Sequence, residues 1–177
     1  MRLFVALSLP ADLRDRLCGL ASGLPGARWV DPANLHLTLR FIGEVDGHAA
    51  DDIDAALSAI HGPRFPLALR GVGQFGDDRK PRSLWVGVEA NGDLERLQAK
   101  IETALQRAGL EPEKRKFKPH VTLARFKSNP GTRLQAYLVQ HALFRAEPFE
   151  VRDFTLYSSY LAHEGAIYAA EAVYPLR

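Results

Sequence analysis

Two tetrapeptides, His36-Leu-Thr-Leu39 and His120-Val-Thr-Leu123, carry the side chains in this chain best suited to moving protons and holding an oxyanion. With six histidines and five threonines in 177 residues, two His-x-Thr motifs arise together at random roughly one time in a hundred, a crude guard against false matches. Both sit in apolar runs that alternate as strands do. Residues two apart on a strand share a face, roughly 6.5 Å apart at about 3.3 Å of rise per residue. His36 and Thr38 therefore share one face, with Leu37, Leu39 and Phe41 on the other. His120 and Thr122 are opposed in the same way to Val121 and Leu123. The leucines belong to a core, which leaves the two histidine faces to look into a groove or solvent, and a pseudo-twofold relation of the halves would make the two grooves one.

Such a set suits a phosphate centre. An imidazole titrates near pH 6.5, so of two rings one can be neutral and accept a proton while the other is charged and donates one. In-line displacement at phosphorus needs these tasks on opposite sides of the phosphate, and a pseudo-twofold arrangement of two motifs supplies that. Threonine hydroxyls can donate to the non-bridging oxygens, whose charge grows in the transition state. General acid–base effects give about 10²–10⁴-fold, so positioning and electrostatics must supply the rest. His48, His61, His141 and His163 lack a paired setting and read as surface or hydrogen-bonded residues. Two histidines without Asp, Glu or Cys at ligand spacing make a poor zinc set, since catalytic zinc wants three protein ligands. No metal is expected. Cys18 falls within an amphipathic helix and no Gly-x-Ser-x-Gly elbow is present, which argues against a nucleophilic serine or cysteine. Arg125 lies five residues after His120 and by strict alternation faces away from it; a phosphate role requires a bend or bulge at the strand end. Lys114, Arg115, Lys116 and Lys118 precede the second motif, where they could attract phosphate or form a solvated loop with Glu111 and Glu113.

The elements that must position the motifs repeat at an offset of 84 residues. Leu3–Ser8 reads as a strand, and Pro10 opens a helix with Leu13, Leu17 and Leu20 on one face. The strand Leu35–Ile42 ends at Gly43, a helix over Ala49–Ile60 stops at Gly62-Pro63, and Phe65, Leu67 and Leu69 begin a strand running to Phe75. A polar loop, Gly76–Pro81, is the one seam between halves. The order then recurs: strand Leu84–Val88, a helix through Leu94, Leu97, Ile101 and Leu105 ended by Gly109, strand Pro119–Phe126, and a helix capped by Thr132 and running through Phe144. A strand through Phe149, Val151 and Phe154 follows, then a last one over Ala166–Val173. Phe65 is 29 residues after His36 and Phe149 is 29 after His120, a register that predicts true duplication, with halves of about 1–76 and 82–177 in one domain of 1–177.

Composition sets few limits beyond an ordinary globular chain. Hydrophobic residues make up 46% and charged residues 25%, which excludes a disordered or fibrous class. The single cysteine fits a reducing cytoplasm. Met1–Pro10 imitates a signal peptide, but its apolar run is short and leads straight into Asp12, Arg14, Asp15 and Arg16. No stretch approaches the length of a membrane span. A net charge of +2 and pI near 8.8 permit a polyanionic substrate without arguing for one.

The paired His-x-Thr-x motifs resemble those of the two-histidine phosphoesterases, together with the Phe-Val-Ala-Leu start, Asn34-Leu-His-Leu-Thr-Leu39, Phe41, Gly43-Glu-Val45 and Phe117-Lys-Pro-His-Val-Thr-Leu-Ala-Arg125. Phe65-x-Leu-x-Leu-x-Gly-x-Gly-x-Phe75 and Leu84-Trp-Val-Gly-Val88 extend the likeness over nearly the whole chain. The branch most similar is the LigT-like RNA 2′,3′-cyclic phosphodiesterases, also called 2′–5′ RNA ligases. The resemblance implies an α+β, bilobal, pseudo-twofold fold, with two antiparallel sheets around a central cleft and helices outside. It implies hydrolysis of RNA or nucleoside 2′,3′-cyclic phosphates to 2′-phosphomonoesters without metal or cofactor, and a reverse 2′–5′ ligation. His36 is then the proton donor and His120 the proton acceptor, with Thr38, Thr122 and Arg125 on the phosphate; the near-equivalent motifs leave the acid and base interchangeable on the residues alone. The implied partners are RNAs with 2′,3′-cyclic phosphate ends, tRNA fragments included, or cyclic nucleotides, acted on by a cytoplasmic monomer. Two other readings use the same residues: a 2′–5′ oligoadenylate or 3′–5′ RNA phosphodiesterase, and a non-catalytic module that binds RNA ends.

Overall fold

A computed structural model describes residues 1–177. In chain order the elements are β1 (Arg2–Ser8), α1 (Ala11–Cys18), β2 (Ala27–Trp29), a 3₁₀ turn (Pro32–Asn34), β3 (His36–Glu44), α2 (Gly47–Ser58), β4 (Phe65–Leu67), β5 (Leu69–Gly76), β6 (Pro81–Val88), α3 (Gly92–Arg107), β7 (His120–Phe126), α4 (Thr132–Gln140), β8 (Phe149–Val151), β9 (Asp153–Ala162) and β10 (Gly165–Pro175). All strand pairs are antiparallel. The α+β class and the helix-flanked sheets expected from the sequence are what the structure shows.

Seven strands run in the order β10-β9-β1-β3-β7-β6-β5, β2 adds to β7, and β4 pairs with β8 in a separate ribbon. The two half-sheets are joined at one residue pair, Leu37 against Val121, which are equivalents at the 84-residue offset. The ribbon is symmetric in the same sense: Pro66 faces Glu150, with Phe65 on Val151 and Leu67 on Phe149. The spatial lobes are not the halves of the sequence. β5 of the first half lies beside β6, and β9 and β10 of the second half extend the sheet from β1, so each lobe takes outer strands from the other half.

Alternation explains which face is covered. Leu37, Leu39, Val121 and Leu123 are buried, as are Ile53 and Leu57 of α2 and Leu94, Leu97, Ile101 and Leu105 of α3. Together with α1 and α4 residues they belong to a single apolar core of 33 buried side chains. Asp46 and Asn91 accept hydrogen bonds from the Ala49 and Leu94 N–H groups and so start α2 and α3. The Asp46 cap sets the start of α2 two residues earlier than the apolar spacing predicts. Gly131, not Thr132, is the residue before α4, and that helix ends at Gln140 rather than Phe144. The runs expected as continuous strands from Phe65 to Phe75 and from Phe149 to Phe154 both break, at Ala68 and Arg152, again equivalent positions. At each break the chain leaves the β4–β8 ribbon for the main sheet, which apolar alternation alone does not reveal.

Candidate active site

The Leu37–Val121 pair sets the geometry. Antiparallel register around it puts His36 alongside Thr122 and Thr38 alongside His120, all four on the face opposite the core. The two histidines are then diagonal neighbours, a relation that in antiparallel pairs spans about 7–8 Å.

Each ring is held the same way. His36 Nδ1–H donates to the Asn34 carbonyl at 2.6 Å and His120 Nδ1–H to the Lys118 carbonyl at 2.6 Å. A carbonyl can only accept, so Nδ1 carries the proton in both rings, and Nε2 is the atom free for chemistry. In His36, Nε2 is 2.8 Å from Thr38 Oγ1, whose hydroxyl donates to the neutral ring. Burial lowers the pKa of His36 below 6.5; the Asn34 hydrogen bond opposes this, while the charges of Arg125 and His120 add to it. His120 is lowered too, by burial first, against its Lys118 bond, and further by Arg125.

Arg125 therefore acts on both rings, although strict alternation turned it away. The required bulge is present. On β7, Thr122 faces Trp85 and Ala124 faces Leu84, so Leu123 is an extra residue, and Leu123 and Ala124 are both buried. Arg125 returns to the cleft face. β3 has the same device: Thr38 faces Ala6 and Arg40 faces Val5, with Leu39 extra. Phe41 is thereby moved to the cleft face, contrary to the alternation expected from sequence, and is 52% exposed beside Phe4. The buried Arg40 displaced by that bulge pairs with Glu102 on α3 at 2.6 Å and donates to the Glu111 carbonyl. A hint was legible in sequence: Leu123-Ala124 places two apolar residues in succession where alternation calls for one.

Aromatic side chains missed by the sequence reading flank both histidines. Phe4 packs on His36 with ring centroids 5.0 Å apart, and Tyr168 meets the same ring edge-on at 5.4 Å. Tyr157 stacks on Phe4. Around His120, Phe75 makes an edge contact at 4.8 Å and Trp85 lies 6.1 Å away. Trp85 covers Gly73, where any Cβ would collide with the indole. A cavity of about 510 Å³ opens there, walled by Phe75, Trp85, Phe117, Lys118 and His120. Flat apolar walls next to a phosphate site are suited to stacking a nucleobase. A depression of about 550 Å³ between α2 and α3, lined by Ala56, Ala99 and Lys100, contains none of the motif residues.

Of the basic loop, Arg115 pairs with Glu113, and Lys118 contributes its carbonyl to His120 and lines the cavity. No group of three or more His, Cys, Asp and Glu side chains that could hold a metal ion is present. No helix is long and apolar enough to cross a membrane.

Paired His-x-Thr motifs facing one cleft in a pseudo-symmetric antiparallel sheet define a two-histidine phosphoesterase. The family model of the 2′-5′ RNA ligase superfamily matches residues 11–161, and the chain belongs to that superfamily. It is 37% identical to an RNA 2′,3′-cyclic phosphodiesterase of Archaeoglobus fulgidus, over 95% of this chain and 96% of that one. It is 39% identical to the Aeropyrum pernix protein of the same name, over 89% of each. Among solved structures it resembles TT0787 of Thermus thermophilus (TM-score 0.84, 28% identity, 100% and 98% of the two chains). Escherichia coli LigT complexed with 3′-AMP is also similar (TM-score 0.78, 28% identity, 99% and 97%).

Proposed function

We propose that this chain opens RNA and nucleoside 2′,3′-cyclic phosphates to 2′-phosphomonoesters, the activity for which its relatives are named. The observation that carries this reading is the matched anchoring of two imidazoles, Nδ1 on a backbone carbonyl and Nε2 left for proton transfer, on one face of the paired motif strands. His120 takes a proton from the attacking water while His36 gives one to the leaving 3′ oxygen, so the P–O3′ bond breaks and the phosphate stays on O2′. Thr38 and Thr122 donate to the non-bridging oxygens, and Arg125 offsets the charge that grows on them. With a 5′-hydroxyl in place of water as the nucleophile, the same proton transfers break the same P–O3′ bond and join two RNA ends through a 2′–5′ linkage. One chain carries both motifs, so a cytoplasmic monomer made by duplication of a half-domain is sufficient, with RNA ends as its partner.

The test is turnover of adenosine 2′,3′-cyclic phosphate in the presence of a chelator. The 2′-monophosphate is expected as sole product, with His36→Ala and His120→Ala each lowering kcat by about 10²–10⁴-fold. Release of the 3′-monophosphate, or turnover unchanged in either variant, overturns the reading. Strong binding of RNA ends without turnover by the parent protein identifies a binding module instead.

A further inference from the structure

β2 is three residues long and continues along β7 beyond the Leu37–Val121 pair. Its register sets Arg28 directly opposite Arg125. Direct cross-strand partners project from the same face with Cβ atoms about 5 Å apart, and Arg125 is on the cleft face, so Arg28 is there too. Both are exposed. Neither guanidinium takes part in an ion pair. The acidic residue nearest β2 in sequence, Asp31, has its carboxylate turned onto the Ala33 N–H of its own turn. Like charges directly opposed across two strands destabilise the sheet, whereas a phosphate between two planar guanidiniums satisfies both with charge-assisted hydrogen bonds.

The pair lies outward from the catalytic centre. The Arg125 charge reaches both imidazoles, while Arg28 is not among the charges that act on either ring. Three residues of β7 separate Thr122 from Arg125, at most about 10 Å of extended chain, and a guanidinium arm spans the remainder of one nucleotide step. The pair also exists at one end of the cleft only. At the 84-residue offset Arg28 corresponds to Pro112, and the bulges align Arg125 with Phe41.

We propose that Arg28 adds a second phosphate site outward of the reacting phosphate, binding the 5′-side phosphate of the nucleotide that carries the cyclic phosphate, with Arg125 between the two phosphates. The inference rests on the catalytic reading above. It makes the enzyme prefer the end of an RNA chain, or a 5′-phosphorylated nucleotide, over a 5′-hydroxyl nucleoside 2′,3′-cyclic phosphate, and it fixes the direction in which RNA lies along the cleft.

The experiment compares adenosine 2′,3′-cyclic phosphate with a 5′-hydroxyl, the same compound with a 5′-phosphate, and the dinucleotide ApA ending in 2′,3′-cyclic phosphate. The parent is expected to show a KM roughly tenfold or more lower for the second and third than for the first, a difference that shrinks with added salt. Arg28→Gln should remove that preference and leave kcat/KM for the 5′-hydroxyl compound unchanged, with Arg28→Lys in between. An advantage for the 5′-phosphate alone assigns the site to terminal phosphates; an advantage for both assigns it to the RNA backbone, and both support the site. No preference in the parent, or an equal loss on all three substrates in Arg28→Gln, overturns it. Binding separates this inference from the catalytic reading: adenosine 2′,5′-bisphosphate should bind the parent more tightly than 2′-AMP and lose that margin in Arg28→Gln, whether or not turnover is seen. Equal binding of the two ligands by the parent overturns the second site by itself.

Discussion

Replacing Glu102 by Gln should make stability and the second motif fail together, with a defined pH signature. Desolvation pushes the Glu102 carboxyl up, but hydrogen bonds from Arg40, the Glu113 N–H and Gln106, helped by the Arg40 charge, outweigh it and hold the group at about 2, against an ordinary 4.5. That difference corresponds to about 3 kcal/mol at neutral pH. The carboxylate is 17% exposed, and partial solvent screening brings the figure nearer ~2 kcal/mol. Because the folded value is depressed, the stabilisation is fully present above pH 4.5 and is lost as pH falls towards 2; roughly half should be gone by about pH 3. Urea unfolding of parent and Glu102→Gln, followed from neutral pH down to about pH 3, should therefore show a gap of about 2 kcal/mol that closes on the acid side. The same carboxylate holds the Glu113 N–H at 2.9 Å, at the start of the loop leading to Lys118 and His120. Turnover at neutral pH should accordingly drop even under conditions where the variant is fully folded. A gap that stays constant with pH, or one below about 0.5 kcal/mol, would refute this account of how β3, α3 and the loop are tied.

Three further outcomes follow from the site. Both histidines are lowered, so the bell-shaped pH profile of kcat/KM should centre on the acid side of 6.5. Arg125→Gln removes a charge that lowers both rings, so the profile should move towards higher pH while kcat falls by about 10²–10³-fold; an unmoved profile counts against the coupling. Asn34 donates from Nδ2 to the Ala166 carbonyl at 2.9 Å while its own carbonyl holds His36, so Asn34→Ala should free the β9–β10 hairpin and lower kcat roughly tenfold or more with His36 still present. Faster amide exchange across residues 160–167 and no change elsewhere is the structural signature to look for. Gly73→Ala must displace the Trp85 indole, and should raise KM for nucleotide substrates more than it lowers kcat; unchanged kinetics would show that the indole is not part of the substrate wall.

What the sequence disclosed and what it withheld divide along the range of the interaction. The His-x-Thr strands were legible because period-two alternation is local, and the 84-residue offset carried that local signal twice. The same rule misplaced Arg125 and Phe41, because a bulge is set by two strands together: Leu39 and Leu123 are extra only relative to β1 and β6. β2 was invisible for the same reason. Ala27-Arg-Trp29 has no alternation long enough to read, and becomes a strand only because β7 offers an unpaired edge beyond Val121. The exchange of β5 and β9 between lobes is likewise a property of pairing.

These two surprises have one functional consequence. Two like strands with like bulges would by themselves give a symmetric cleft, unable to tell one end of a phosphodiester from the other. The bulges instead bring unlike residues to matching places: Arg125 at one end, where β2 adds Arg28, and Phe41 at the other, beside Phe4, on which Tyr157 stacks. On the proposed reading, cations on one side of the phosphorus and stacked rings on the other would give the substrate a single favourable direction. In the mechanism proposed above, two nearly identical histidines then meet chemically different oxygens, one on the leaving group and one on water. Exchanging Phe41 and Arg125 by double substitution, Phe41→Arg with Arg125→Phe, should keep both imidazoles on their carbonyl anchors while moving the charge to the other end. A variant that keeps the parent's rate and its 5′-phosphate preference would show that direction comes from the histidines themselves and not from what the bulges present.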